Sequence, residues 1–236
     1  MQDDDVKFKD LHAAIEQLLL KDIDLLILPL RMESEYQNPS LLERLQIAEY
    51  AAIQQLTIES AQATVHPHYP NLHFLTAPMN RPVEKIDISA FAGFIHEARR
   101  SFDYIFLDAP AGVDAGFRLV CAAAARFLVV TGPGPAAVRD AARVGELLEL
   151  KGKKDARLVV NRVDKNMLSI LKMTIDDVMD TAGLPLIGIV MEDSDVTLAA
   201  ACGLPLLRFN KRSAAVKSYT KIANRIQGIP EPISFR

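Results

Sequence analysis

Tryptophan is absent from the 236 residues, and cysteine occurs only as Cys121 and Cys202. Two thiols in small-residue surroundings exclude a disulfide framework and read as reduced core cysteines. No apolar run reaches ~18 residues free of charge, which excludes a membrane-spanning helix. Positive charge is not in excess: 27 Lys and Arg face 30 Asp and Glu, for a net charge of −3. No global basic field is therefore available to attract nucleic acid. Glycine is missing until Gly93, and neither GKT nor GKS occurs anywhere. A glycine-rich loop whose amides cradle phosphates is thus not present. The start, MQDDDVKFKD, lacks the apolar stretch of a secretory signal, so a cytoplasmic protein is the expectation.

What is present reads as an α/β protein. Half of the residues are apolar and 24% are charged, the profile of a globular chain. The organising stretch is SFDYIFLDAPAGVDAGFR, residues 101–118. Its short apolar run after a polar turn predicts a buried, central strand of a parallel sheet, ending on Asp108. A carboxylate there lies where open α/β sheets bind ligands, and the small residues 109–112 let backbone amides approach one. The plainer alternative is that Asp108 caps the following helix.

Further strands are expected at 24–30, 72–78, 126–133, 156–163 and 186–191. Pro29 places the end of the first near an edge or a turn. Helical periodicity marks 6–21, 40–62, 87–102 (with Ser89 before it), 115–125, 135–151, 174–182 and 212–227. LPLLRF follows at 204–209. Strands alternating with helices predict one domain, a doubly wound, mostly parallel sheet with helices on both faces. The five histidines, His12, His66, His68, His73 and His96, have no companions at ligand spacing, so no zinc site is expected.

The blocks DYIFLDAPAG, VVTGPGPAAVRDAARV (129–144), LVVNRV (158–163), MLSILKMTIDDVMDTAGLPLIGIVMEDSDVTLAAACGLPLL (167–207) and PNLHFLTAP (70–78) together resemble the MinD/ParA family of deviant Walker P-loop ATPases, closest to its MinD group. The likeness covers roughly 56–228; residues 1–55 diverge, within a single 1–236 domain of the P-loop NTPase type. The resemblance implies ATP and Mg²⁺ as cofactors. It gives Asp108 the second-switch role, touching Mg²⁺ through water, with no direct metal ligand, and gives Gly112 an amide facing the phosphate. It assigns Asn161, with its neighbour Arg162, to adenine reading; an amide side chain offers the base a donor and an acceptor. Glu192 and Asp193 match the acidic pair beside base and ribose, although Met191 replaces the family's usual proline. Arg139 and Asp140 match a helix serving dimer formation and regulatory partners.

The family's phosphate loop would fall on QDDDVKFK, where Lys7 and Lys9 stand among three carboxylates without glycine. Its Asp-x-Asp after the second strand would fall near Leu28 and Leu30. A hydrolytic role is thus expected to be impaired or lost, through degeneration of the site or through a truncated or rearranged gene. The ending, RIQGIPEPISFR, lacks the family's basic amphipathic anchor because Pro230 and Pro232 break any helix. The leading expectation is a MinD-like protein that dimerises and regulates division-site placement or cellular positioning. A non-catalytic interaction module is the alternative, and a ParA-type partition protein, which wants a basic surface, comes third. Partners would be a second copy or an intact family ATPase, together with proteins of division or positioning systems. No nucleic acid is expected, and membranes would be reached only through a partner.

Overall fold

The computed structural model describes residues 25–29, 64–66, 69–74, 86–109 and 112–233. The expected helices at 6–21 and 40–62 and the QDDDVKFK segment lie outside them. The chain divides into two compact units that meet between Ala124 and Ala125 in sequence.

The first unit is built on a four-stranded sheet ordered β2-β3-β1-β4. Its strands are β1 (Leu25–Pro29), β2 (Thr64–His66), β3 (Tyr69–Phe74) and β4 (Tyr104–Asp108). β1 runs parallel to both β3 and β4, in a register that sets Pro29 opposite Asp108. Pro29 is therefore the last residue of an interior strand, where a missing amide costs little. β2 is antiparallel to β3. The strand ending on Asp108 is parallel as expected, and among the described residues it pairs with β1. Its five side chains are all half-buried.

Helix α1 (Ile88–Ala98) starts at Asp87, whose carboxylate accepts from the Ala90 amide at 2.7 Å. The cap is thus Asp87 and not Ser89; Asp87 has the extended backbone that lets a short acceptor reach the first turn, while Ser89 is already helical. Phe91, Phe94, Ile95 and Ala98 recur at helical spacing and form its buried face. Fully burying a side chain such as Phe91 contributes roughly 1.5–3 kcal/mol. Arg99 donates 2.9 Å to the Ala123 carbonyl, tying α1 to the end of α2 (Ala115–Ala123). The N-cap position of α2 is Asp114, so Asp108 is not the cap of the next helix.

The second unit carries an all-parallel sheet ordered β5-β6-β7, from β5 (Phe127–Thr131), β6 (Ala156–Val163) and β7 (Leu186–Met191). The expected continuous sheet is therefore described as two ladders, of four and three strands. Helix α3 (Pro135–Leu150) opens with proline at its first position, where no amide bond is lost, and buries Val138, Ala141 and Leu148. Two short helices went unrecognised in the sequence: α4 (Lys165–Leu171) and α6 (Ser194–Ala201). Helix α5 (Ile175–Ala182) begins with a reciprocal capping box between Thr174 and Asp177 and ends at left-handed Gly183, φ 64°. The Thr174 amide and hydroxyl hold Asp177 below the ordinary carboxylate range.

LPLLRF proves to be a single helical turn, α7 (Leu206–Phe209), followed by α8 (Ala214–Ile226). α8 lies on β7 through Val216, Tyr219 and Ile222, closing a core with Val159, Val190 and Leu207. Gly188 permits this approach, because a Cβ there would overlap Ile222 Cγ1. Arg225 donates to the carbonyls of Ile187, Glu231 and Pro232 and pins the segment after α8 to β7. Among the described residues no helix is long and apolar enough to cross a membrane.

Candidate functional site

The most developed polar site lies at the carboxyl ends of β6 and β7, the end of a parallel sheet that binds ligands. Within ARLVVNRV the flanking Val160 and Val163 are fully buried, and Asn161 is 5% exposed, an amide set into an apolar strand. The β6–β7 register shifts between Val160 and Val163, so Asn161 and Arg162 bulge from the ladder. Arg162 adopts φ 55°, a left-handed conformation that is easy for achiral glycine and that few L residues besides Asn and Asp adopt. Its amide donates 2.9 Å to Asn161 Oδ1. Its side chain donates through Nε to Glu192 Oε2 at 2.9 Å, with both side chains 45% exposed. The Glu192 amide in turn donates to the Val163 carbonyl at 3.0 Å. Asn161, Arg162 and Glu192 therefore form one rim joining the two strand ends.

Asp193, the next residue, is occupied differently. Oδ1 accepts from the Asp195 amide at 3.0 Å, capping α6. Oδ2 accepts from Ser213 Oγ at 2.7 Å and from the Ala215 amide at 3.1 Å. Partial burial pushes its carboxyl upward, but the hydroxyl of Ser213 and the amides of Ala215, Asp195 and Ala214 outweigh that and hold it below the ordinary value. Asp195 Oδ2 accepts from Asn210 at 2.6 Å. Sequence reasoning missed Ser213, Asn210 and Asp195. Ser213 is visible in NKRSAAV as a cap, but its bond to a residue 20 positions away is not.

In the first unit, half-buried Asp108 ends β4, and Gly112 follows at φ 97°, so the turn does require glycine there. On α3, Arg139 and Asp140 are both exposed, opposite the buried Val138 and Ala141. Neighbouring helical residues diverge, and no ion pair between these two occurs among the described residues. Among the described residues no cluster of three metal-ligating side chains is present.

No protein-family profile matches the chain. It is 36% identical over 160 residues to the septum site-determining protein MinD of Synechocystis, covering 67% of this chain and 60% of that one. To the MinD of Thermotoga maritima it is 34% identical over 171 residues, covering 71% and 63% respectively. The chain thus spans about 60% of the length of the curated relatives it matches. The MinD cell division protein of Aquifex aeolicus superposes with a TM-score of 0.83 at 25% identity, covering 97% of this chain and 95% of that one. A chain of the MinC:MinD cell division protein complex of Aquifex aeolicus gives 0.81 at 24% identity, covering 96% and 93%. The Pyrococcus horikoshii MinD complexed with Mg-ADP gives 0.71 at 19%, covering 92% and 90%. At those lower identities the likeness is one of fold.

Proposed function

We propose a function from the premise that the chain belongs to the MinD/ParA family of P-loop ATPases, in the branch of the septum site-determining proteins. In this reading it is a MinD-like regulator of division-site placement that binds an adenine nucleotide and acts by engaging protein partners. The observation that carries the reading is the rim of Asn161, Arg162 and Glu192 at the carboxyl ends of two parallel strands. Adenine fits that rim. A buried carboxamide can meet the base edge, and a planar guanidinium held at one edge by a carboxylate offers a stacking face. Asp193 would stand behind the rim.

The phosphate half does not fit in the same way. The sequence contains no GKT or GKS, and phosphoryl transfer depends on positioning and charge neutralisation at that loop. ATP turnover at background is the proposed behaviour. Asp108 and Gly112 keep the switch positions by family likeness, with Asp108 reaching Mg²⁺ through water. α3 with Arg139 and Asp140 is the proposed partner face, for a second copy or an intact family ATPase. The protein would act in the cytoplasm and approach a membrane through such a partner. The ParA-type alternative lacks the basic balance that non-specific DNA binding wants.

Calorimetric titration with ATP, ADP and GTP in the presence of Mg²⁺ tests the reading. Adenine nucleotides should bind, GTP should bind at least about tenfold more weakly, and Asn161→Ala should cost about tenfold in ATP affinity, one hydrogen bond's worth. No ATP binding at about 1 mM, the limit of roughly −4 kcal/mol, would refute the nucleotide role. Steady ATP turnover would refute the non-hydrolytic part.

A further inference from the structure

A second feature of the same unit stands apart from the nucleotide reading. Residues 196–230 hold six of the chain's 27 Lys and Arg residues and none of its 30 carboxylates. The cations cluster around the turn joining α7 to α8. Buried Leu206, Leu207, Ser213, Ala215 and Val216 fix which side of that turn faces the core. The opposite side presents Arg208, Lys211, Arg212 and Lys217, all exposed, beside Leu204 at 48% and Phe209 at 36% exposure. Among the described residues no ion pair holds the side chains of Lys211, Arg212 or Lys217.

This turn is not a loose loop. Asn210 is bonded to Asp195, and the Arg212 amide donates to Asn210 Oδ1 at 3.0 Å. Ser213 Oγ donates to Asp193 while accepting from the Val216 amide at 3.3 Å, and the Ala215 amide also donates to Asp193. Asp193 therefore latches the start of α8, and Asp195 latches the turn before it. A preorganised surface avoids the ordering cost of binding.

We propose that the α7–α8 turn is a docking surface for an acidic polypeptide segment carrying apolar side chains, with Asp193 as the positioning residue that holds it in shape. The choice of occupant follows from length scales. Salt screens charges beyond about 8 Å at physiological ionic strength, so a short acidic segment meets the local cations alone. Arg208, Lys211, Arg212 and Lys217 all fall within residues 208–217, a span that suits a short segment rather than an extended bilayer or duplex. Leu204 and Phe209 add apolar contacts that a phosphate backbone cannot use.

The test measures fluorescence anisotropy of a labelled synthetic peptide of about 14 residues, alternating Asp/Glu pairs with Leu and Phe. Parallel arms use vesicles rich in phosphatidylserine and a duplex DNA of about 30 base pairs. The expected result is salt-sensitive binding of the peptide, weakened about tenfold or more by the double change Lys211→Glu with Arg212→Glu, and weaker binding in both other arms. Asp193→Asn and Ser213→Ala should each weaken the peptide several-fold without changing the exposed cations, and Ser213→Thr, which keeps the hydroxyl, should restore it. Circular dichroism melts identify any variant that has simply unfolded, and the Lys211/Arg212 change, being wholly on the surface, keeps the test open. Peptide binding that ignores that change, or tighter binding of vesicles or DNA through the same residues, overturns the docking surface. Unaltered peptide affinity in Asp193→Asn overturns the latch.

Discussion

At Arg162, strain and function can be separated by comparing two variants. Its φ of 55° places a long L side chain in the left-handed region, at a cost of roughly 1–2 kcal/mol relative to a relaxed backbone. Arg162→Gly and Arg162→Ala both remove the pair with Glu192, so that loss cancels when the two variants are compared. The pair is 45% exposed on each side and contributes about 0–1 kcal/mol. Alanine keeps the strain, whereas glycine removes it but adds about 0.4–1 kcal/mol of unfolded-chain entropy. The midpoints of the two ranges leave the glycine variant more stable than the alanine variant by about 0.8 kcal/mol. In a chain of 236 residues that is a melting difference of about 2–4 °C per kcal/mol.

The assay is urea unfolding of both variants side by side, with an ATP titration on each. Both should lose ATP affinity alike, since both lack the guanidinium, while only the glycine variant recovers stability. That split would mark Arg162 as a residue kept at a stability cost for what its side chain meets. An alanine variant as stable as the glycine one would show that the backbone is not strained. Full ATP affinity in either would remove Arg162 from the site.

Gly188→Ala should destabilise by about 1–3 kcal/mol through overpacking, because the new Cβ overlaps Ile222 Cγ1 and lies 2.7 Å from Cδ1. Combined with Ile222→Ala the loss should fall short of the sum of the single changes by about 1 kcal/mol or more; strict additivity in denaturant curves would contradict the contact. Thr174→Ala removes the hydroxyl that accepts from the Asp177 amide and donates to its carboxylate, while the backbone amide of position 174 stays on that carboxylate, and a drop of about 1 kcal/mol is expected by the same measurement. In a carbon-detected NMR titration of that variant the Asp177 carboxyl should rise only part of the way toward its ordinary value; an unmoved titration would exclude the Thr174 hydroxyl as a cause. Asp193 has a lowered carboxyl, so its stabilisation is fully present above the ordinary value of 3.8 and is lost as the pH falls through the lower native value. Asp193→Asn should therefore be less stable than the native chain near neutrality and converge with it in acid. A stability gap that stayed constant from neutrality into strong acid would show that the carboxylate is not the group involved.

Strands whose apolar runs are short and bounded were legible residue by residue: YIFLD, ARLVVNRV and LIGIVM coincide with β4, β6 and β7, because strands of a parallel sheet read as continuous hydrophobic runs bounded by turn residues. Helices with a stripe were legible too, but α4 and α6 each bury only one residue, Leu168 and Ala199, and so show no stripe, whereas α5, equally short, is bracketed by Thr174 and Gly183. The start of α1 was misread by two residues, since Asp87 and Ser89 are both good caps and only backbone geometry chooses between them. Site residues show in a sequence as breaches of pattern. Asn161 is visible as a lone amide inside LVVNRV, and tertiary structure then supplies what the pattern lacks, a left-handed neighbour and a carboxylate 30 residues on. Arginine is among the last residues that turn statistics would assign to a positive φ, so no local rule could have found that conformation at Arg162. Asp193 makes the same point with the opposite outcome. Its place in the acidic pair suggests a ligand contact, yet it accepts from Asp195, Ser213 and Ala215 of its own unit, the last two in α8 and its cap, 20 and 22 residues away. A motif can therefore nominate a carboxylate, but the donors that reach it decide whether it faces a ligand or holds a helix in place.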